Sequence, residues 1–312
     1  MARTVLVTGG AGFIGSHTVD LLIKQGYSVK ILDNLSSGNL GNIQEHLDSG
    51  RAELIEGDIR DDVAVKESLK DINAVAHFAA LVSVPLSVKD PELTFDINLN
   101  GTANLLKHCA KMNVARFVFI SSCSVLGDPE VLPVTEELKT NPISPYAESK
   151  LLGERYTLGF SQRSAMQTLV LRFFNVYGPR QTLSDYSGVI TRFMDCCFEN
   201  KPLTIYGDGS QTRDFVNVED VARAVVAGIN SEFSGEIFNV ASGHATSIST
   251  LAKTIIKLAN QKIDIRYEDE RCGDIMHSYA DISKTREFLG FEAAVSLKEG
   301  LLDLIKARST GQ

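Results

Sequence analysis

Residues 4–15 read Thr-Val-Leu-Val-Thr-Gly-Gly-Ala-Gly-Phe-Ile-Gly, and no other stretch constrains the fold as strongly. The β-branched and aliphatic run predicts a buried strand. Gly9, Gly12 and Gly15 then carry the chain through a tight turn into a helix. In such a turn the first glycine permits the bend, the second lets backbone approach a pyrophosphate, and the third lets helix pack on strand. The helix N-terminus adds N–H groups and the positive end of its dipole. The segment is a seat for a dinucleotide.

The rest of the first half repeats that unit. Val29–Leu32 predicts a second strand ending on Asp33, with further strands at Ala52–Glu56, Ala74–Phe78, Phe117–Ser121 and Thr168–Phe173. Helical spacing runs over Gly15–Gln25, over Pro91–Met112 as one long helix, and over Pro145–Ser161. Alternating strands and helices predict an α/β fold, a doubly wound parallel sheet with right-handed crossovers. After Phe174 the rhythm breaks. Asn175–Gln211 is rich in Gly, Pro, Ser and Asp, with a helical stretch near Val189–Glu199. Short strands (Thr204–Tyr206, Phe238–Val240, Asp264–Tyr267) and two helices (Ile248–Asn260, Leu297–Ala307) follow. Residues 1–174 are thus expected to hold the dinucleotide. Residues 175–312 are expected to form a smaller α/β part, mainly for substrate, with some segments returning to the first domain.

Composition narrows the partners. A chain of 312 residues is long enough for a doubly covered core with a smaller appended part. The formal charge of −8 disfavours nucleic acid and anionic membrane. The chain enters a strand at once, without the charged and apolar regions of a signal peptide, and no apolar run reaches the length of a membrane span. Five cysteines (109, 123, 196, 197, 272) give an odd count with no metal-site spacing. Free thiols in a reducing cytoplasm and no bound metal are expected. The vicinal Cys196-Cys197 pair reads as two small apolar residues on a helix.

Two constellations carry chemistry. Asp33, at the end of the second strand, is placed to accept hydrogen bonds from two ribose hydroxyls and to repel a 2′-phosphate, which favours NAD over NADP. Asp58 and Ile59 in Gly-Asp-Ile are placed beside the adenine. Tyr146 and Lys150 lie in Ser-Pro-Tyr-Ala-Glu-Ser-Lys. Pro145 suits the first helical position, so the phenol falls in the first turn and the ammonium one turn below it, on the same face. A free phenol, with a pKa near ~10, is a poor base at neutral pH. A neighbouring ammonium, a helix N-terminus and an oxidised nicotinamide all favour the phenolate. Ser121-Ser122-Cys123-Ser124 ends the preceding strand at the sheet edge where ligands bind, and Ser122 is expected to hydrogen-bond the reacting alcohol.

Leu32-Asp33-Asn34-Leu35, Gly57-Asp58-Ile59, His77-Phe78-Ala79-Ala80, Asp96-Ile97-Asn98, Arg172-Phe173-Phe174-Asn175-Val176-Tyr177-Gly178-Pro179 and Arg213-Asp214-Phe215 join these motifs in order. Together they resemble the extended short-chain dehydrogenase/reductases, and within them the nucleotide-sugar 4-epimerases. The likeness runs from about Thr4 to about Ile305. It implies cofactor contacts at Gly9, Gly12, Phe13, Ile14, Gly15, Asp33, Asn34, Asp58, Ile59, Phe78, Ala79, Ala80, Asn98, Tyr146, Lys150 and Phe173. It implies catalytic roles for Ser122, Tyr146 and Lys150. Substrate contacts are implied at Ser83, Ser122, Tyr146, Asn175, Val189, Thr204, Tyr206, Arg213, Arg271, Asp274 and Ser278, the two arginines matching a diphosphate. Ser278 aligns with a family position facing the sugar C2 substituent, where a small residue admits an acetamido group.

The chain departs from the family pattern at Leu126 for Tyr, Leu86 for Arg and Cys272 for Pro. Leucine at 86 disfavours a uronate, and Ser122-Cys123-Ser124 lacks the acid of the dehydratases. The resemblance implies an NAD-dependent UDP-hexose 4-epimerase of the cytoplasm. Its rivals are a uronate epimerase or decarboxylase, another NAD-dependent oxidoreductase, and a nucleotide-sensing regulator, which need not keep both Tyr146 and Lys150. The helices near Pro91–Met112 and Pro145–Ser161 resemble those that pair in family homodimers, and their amphipathicity also fits a monomer.

Overall fold

The computed structural model describes residues 3–181, 188–270 and 275–309. Arg271 and Asp274 lie outside them. The first half of the chain is a strict alternation: β1 Thr4–Thr8, α1 Phe13–Lys24, β2 Ser28–Asp33, α2 Gln44–Asp48, β3 Ala52–Glu56, α3 Asp62–Ser68 and β4 Ala74–His77. Then come α4 Val84–Lys89, α5 Pro91–Phe95, α6 Thr102–Lys111, β5 Arg116–Ser122, α7 Pro145–Ser161 and β6 Gln167–Phe173. The second half holds β7 Asn175–Tyr177, α8 Val189–Phe198, β8 Leu203–Tyr206, β9 Thr212–Asn217, α9 Val218–Asn230 and β10 Glu236–Val240. It ends with β11 Ala245–Ser247, α10 Ile248–Leu258, β12 Ile265–Glu268, β13 His277–Ser278, α11 Ser283–Leu289 and α12 Leu297–Ser309.

Among the described residues, seven strands form one sheet in the order β3-β2-β1-β4-β5-β6-β10, every neighbouring pair parallel. The order reverses direction between β1 and β4, and the crevice above that point is where such sheets bind ligands. The strands are apolar on both faces because helices cover both. On one face Val5, Val7, Ile31, Leu169 and Leu171 pack with α1 and α9. On the other, Leu6, Val75, Phe117 and Phe119 pack with α3 and α6. A smaller core, with Phe193, Ile205, Leu251 and Leu301, joins α8, β8, α10 and α12.

The sequence pattern and the fold differ at instructive places. The stretch 91–112 is not one regular helix: a π turn over Asp96–Gly101 separates α5 from α6. The turn directs the Asn98 amide at Leu81 and Ser149, and it seats Gly101 where a Cβ would meet Ile59 at 2.6 Å. The strand at Phe238–Val240, read with the irregular half, is the edge of the main sheet, paired in register with Leu171–Phe173. Helix α9, capped by Asn217, also returns to the main sheet and packs against α1.

Candidate active site

The glycine turn is a close-packed cradle. Gly9 has φ +70° and lies so near the next strand that a Cβ would sit 2.8 Å from the Ala79 nitrogen; at Gly15 a Cβ would meet the Gly9 carbonyl oxygen at 2.2 Å. Helix α1 starts on Gly12, with no side chain capping its first turn and no acidic residue in it. Phe13 and Ile14 open the helix beside uncapped N–H groups, a fixed site for an anion. At the end of β2 the buried Asp33 accepts from the Ala11 and Leu35 nitrogens, one per carboxylate oxygen, each at 2.9 Å. An ionised carboxylate has about four lone-pair positions, so two remain for hydroxyl donors. Asn34 donates to Asp58, which also holds Arg60, and these bonds keep the Asp58 carboxyl at about 2. Ile59 is buried in the core beneath it. The turn, the uncapped helix and the Asp33 carboxylate fit a dinucleotide.

Beyond β4, Phe78 leans on the buried Phe173 with ring centroids 6.4 Å apart, and Ala79 and Ala80 continue the chain past the crevice. Asn98 stands behind this loop. Its amide donates to the Leu81 carbonyl and the Ser149 hydroxyl and accepts from the Leu81 nitrogen. Its side chain therefore fixes the crevice wall and α7.

His77 supplies a buried spine at the same place. Thr102 donates to the Asn98 carbonyl at 2.6 Å, so the 2.8 Å contact from His77 Nε2 to Thr102 places the ring proton on Nε2. His77 Nδ1 then accepts from Thr8 at 2.7 Å. Burial, aided by the charge of Lys150, pushes this imidazole down to about 3.

Helix α7 begins as its sequence requires. Ser144 caps it by accepting from Ala147, and Pro145 occupies its first turn. Tyr146 is half-buried in the first turn, with its phenol beside the Ser122 hydroxyl at the end of β5. Lys150 lies one turn below, only 5 % exposed, with Nζ 4.5 Å from the centroid of the Phe119 ring. Burial pushes Lys150 down to about 8, while Glu154 pulls it up. Burial likewise pushes the Tyr146 phenol up to about 12, with the Ser122 bond pulling it down. The sequence pattern favoured the phenolate, but the dry pocket opposes it. A fixed positive charge beside the phenol is therefore what the chemistry needs.

The turn after β5 adds two groups that the sequence pattern did not single out. Ser124 Oγ is buried without a hydrogen-bond partner among the described residues. The Cys123 thiol lies beside Ser122 and Ser278; burial pushes it up to about 11, so it stays protonated. Ser278 is buried, so it does not face bulk solvent.

Alongside lies a cleft of about 800 Å³ whose lining includes Asn175, Val189, Thr204, Tyr206 and Arg213. In β8 Leu203 and Ile205 are buried while Thr204 and Tyr206 are partly exposed, the two-residue period of a strand. Arg213 donates to the Thr212 carbonyl, and Asn175 to the Asp214 carbonyl. Ser83 caps α4 through the Leu86 nitrogen at 3.1 Å, next to the cleft residues Val84 and Pro85. Arg192, Lys201 and Gln211 also line the cleft and went unnoticed in the sequence, where no motif surrounds them. The four described cysteines are free. No group of side chains able to hold a metal occurs among the described residues, and no described helix is long and apolar enough to cross a membrane.

A glycine cradle, a buried carboxylate at the end of β2 and a tyrosine–lysine helix at the switch point of a parallel sheet define a dinucleotide-dependent enzyme of the Rossmann type. The chain belongs to the NAD dependent epimerase/dehydratase family, whose model matches residues 5–241. Its cofactor is NAD. A putative UDP-glucose 4-epimerase of Methanocaldococcus jannaschii is 42% identical over 299 residues, 95% of each chain. The UDP-N-acetylglucosamine 4-epimerase of Methanobrevibacter ruminantium, solved with UDP-N-acetylmuramic acid, superposes with a TM-score of 0.95 at 36% identity, covering 100% of this chain and 99% of that one. A UDP-glucuronic acid 4-epimerase of Bacillus cereus, solved with UDP-glucuronic acid and NAD, gives 0.91 at 33% identity over 98% of this chain and 100% of that one.

Proposed function

We propose that this chain inverts C4 of UDP-hexoses, taking UDP-glucose and UDP-galactose and their N-acetyl counterparts. The observation that carries the reading is the Tyr146 phenol set beside the Ser122 hydroxyl, with Lys150 one turn below on the same helix; the cleft lined by Arg213, Asn175, Thr204 and Tyr206 gives the substrate its room. Bound NAD supplies the acceptor and later the donor of the hydride at C4. Tyr146 takes the proton of the 4-hydroxyl and returns it after the 4-keto sugar has turned about its diphosphate linkage. Ser122 holds the reacting oxygen in both its hydroxyl and its keto form. Lys150 supplies the positive charge that makes the phenol a base. Asp33 holds the adenosine ribose, and Arg213 pairs with the diphosphate. Arg271 and Asp274, outside the described residues, complete the expected substrate set.

The same reading makes the chain a cytoplasmic homodimer. Leu93 on α5 and Tyr156 on α7 are 37% and 44% exposed, as an unpaired helix face would leave them. NMR of the products from a panel of UDP-sugars tests the proposal. Conversion of UDP-galactose to UDP-glucose without net NADH supports it. Net NADH, or turnover confined to UDP-glucuronate, overturns it.

A further inference from the structure

We infer that Glu154, clamped by Arg172 and Ser121, is a positioning residue that sets the charge on Lys150 for proton transfer at Tyr146. Tyr146, Lys150 and Glu154 follow at four-residue spacing, so they share one face of α7. Glu154 is 1% exposed and Arg172 2%. The Glu154 carboxylate accepts from Arg172 Nε at 2.9 Å and Nη2 at 2.8 Å, and from the Ser121 hydroxyl at 2.6 Å. Arg172 donates its remaining arm to the Glu136 carbonyl. Ser121 directly precedes Ser122, so one carboxylate ties together the strand end holding Ser122 and the helix holding Tyr146 and Lys150.

A salt bridge this deep is weak evidence for stability, because desolvation offsets the attraction. Its placement has a different consequence. Around Lys150 the facing groups are His77 on β4, held neutral, the Phe119 ring on β5, Tyr146 on its own helix, and the protonated Cys123 thiol near Tyr146. Elsewhere on elements packed against α7, Lys89, Glu92 and Lys107 are exposed. Asp96 is paired with Arg60, and His108 with Asp62. Glu154 is thus the carboxylate that opposes the loss of the Lys150 charge in a dry pocket. The Arg172 fork and the Ser121 hydroxyl hold that carboxylate in place.

The inference rests on Tyr146 and Lys150 being the reacting pair, and it is tested on the purified NAD-loaded enzyme with UDP-galactose. Removing the Glu154 charge lets the protons of the pair leave more easily. Because Glu154 is nearer Lys150, the proton that remains moves to the phenol, the unproductive arrangement. Glu154→Gln is expected to move the alkaline limb of the kcat profile down by about one pH unit. Its best kcat should fall roughly tenfold as the proton arrangement shifts by a similar amount. KM should change less than about twofold, since Glu154 is not expected to touch substrate. Glu154→Asp, which keeps the charge, is expected to keep the limb in place. If the single variant does not fold, Glu154→Gln/Arg172→Gln leaves no unpaired buried charge; because the Arg172 cation is lost with the carboxylate, its limb is expected to move in the same direction by less. An unmoved limb in these charge-removing variants, or equal losses in the Asp and Gln variants, overturns the inference. Wild-type turnover in Tyr146→Phe removes the reacting pair itself, whereas an inactive Tyr146→Phe beside an unmoved Glu154→Gln limb removes only the role of Glu154.

Discussion

Lys150 Nζ lies 4.5 Å over the centroid of the Phe119 ring, so the cation is held by an aromatic face rather than by water. A desolvated contact of this kind stabilises a cation by about 2 kcal/mol, which offsets part of the burial that pushes Lys150 down to about 8. The ammonium is present below that pH and lost above it. Turnover should therefore fall as pH rises through about 8. A kcat/KM profile between roughly pH 6 and 11 checks this, that window bracketing the shifted lysine and its ordinary value. Lys150→Arg keeps its charge throughout that window, so its profile should lose the alkaline limb while its plateau drops.

Tyr146→Phe keeps the ring and removes the oxygen that Ser122 holds. A positioned general base contributes about 10²- to 10⁴-fold, and a loss of that size is expected in single-turnover rates. NAD and UDP-sugar binding, measured by calorimetry, should stay near wild type.

His77 makes the fold sensitive to acid for a reason separate from catalysis. The unfolded chain takes up its proton near the ordinary histidine value of 6.5, and the folded one only at about 3. The folded-state value is depressed, so stability is full above 6.5 and is lost as pH falls towards 3. His77→Gln should remove one proton from that dependence, a slope of about 1.4 kcal/mol per pH unit. Urea midpoints measured across this range check it.

Two glycines should respond in opposite directions. A Cβ at Gly15 would sit 2.2 Å from the Gly9 carbonyl oxygen, so Gly15→Ala should pry α1 from the turn and lose NAD, read as a lowered absorbance of the purified protein near the cofactor band. Gly159 lies within α7 with nothing within 4 Å. Gly159→Ala should raise stability by about 0.5–1 kcal/mol and leave turnover unchanged.

The parallel sheet was legible because its strands are short apolar runs between helices of clear periodicity. The cradle was legible because only glycine tolerates the approach of Gly15 to Gly9. Asn98 shows the limit of such reading: its motif marked a cofactor contact, yet both amide hydrogens go to Leu81 and Ser149. The π turn that aims it leaves no mark on an otherwise helical sequence. Cys123 and Ser278 are 155 positions apart in the chain, and their contact depends on β13 pairing with β9, a pairing that a two-residue strand does not announce.

That contact bears on substrate size. Ser278 is buried on β13 beside the Cys123 thiol, which is next in the chain to Ser122. In the proposed function the sugar C2 substituent is set against Ser278, where a small side chain admits an acetamido group. Wild-type protein should then turn over UDP-galactose and UDP-N-acetylgalactosamine alike. Ser278→Tyr fills the space and should abolish the N-acetyl activity, a loss above about 100-fold that exceeds what a merely tighter apolar pocket gives, while UDP-galactose turnover survives. Parallel steady-state kinetics on the two sugars check the ratio. Equal losses on both substrates, or a wild type inactive on the N-acetyl sugar, would remove Ser278 from the control of specificity.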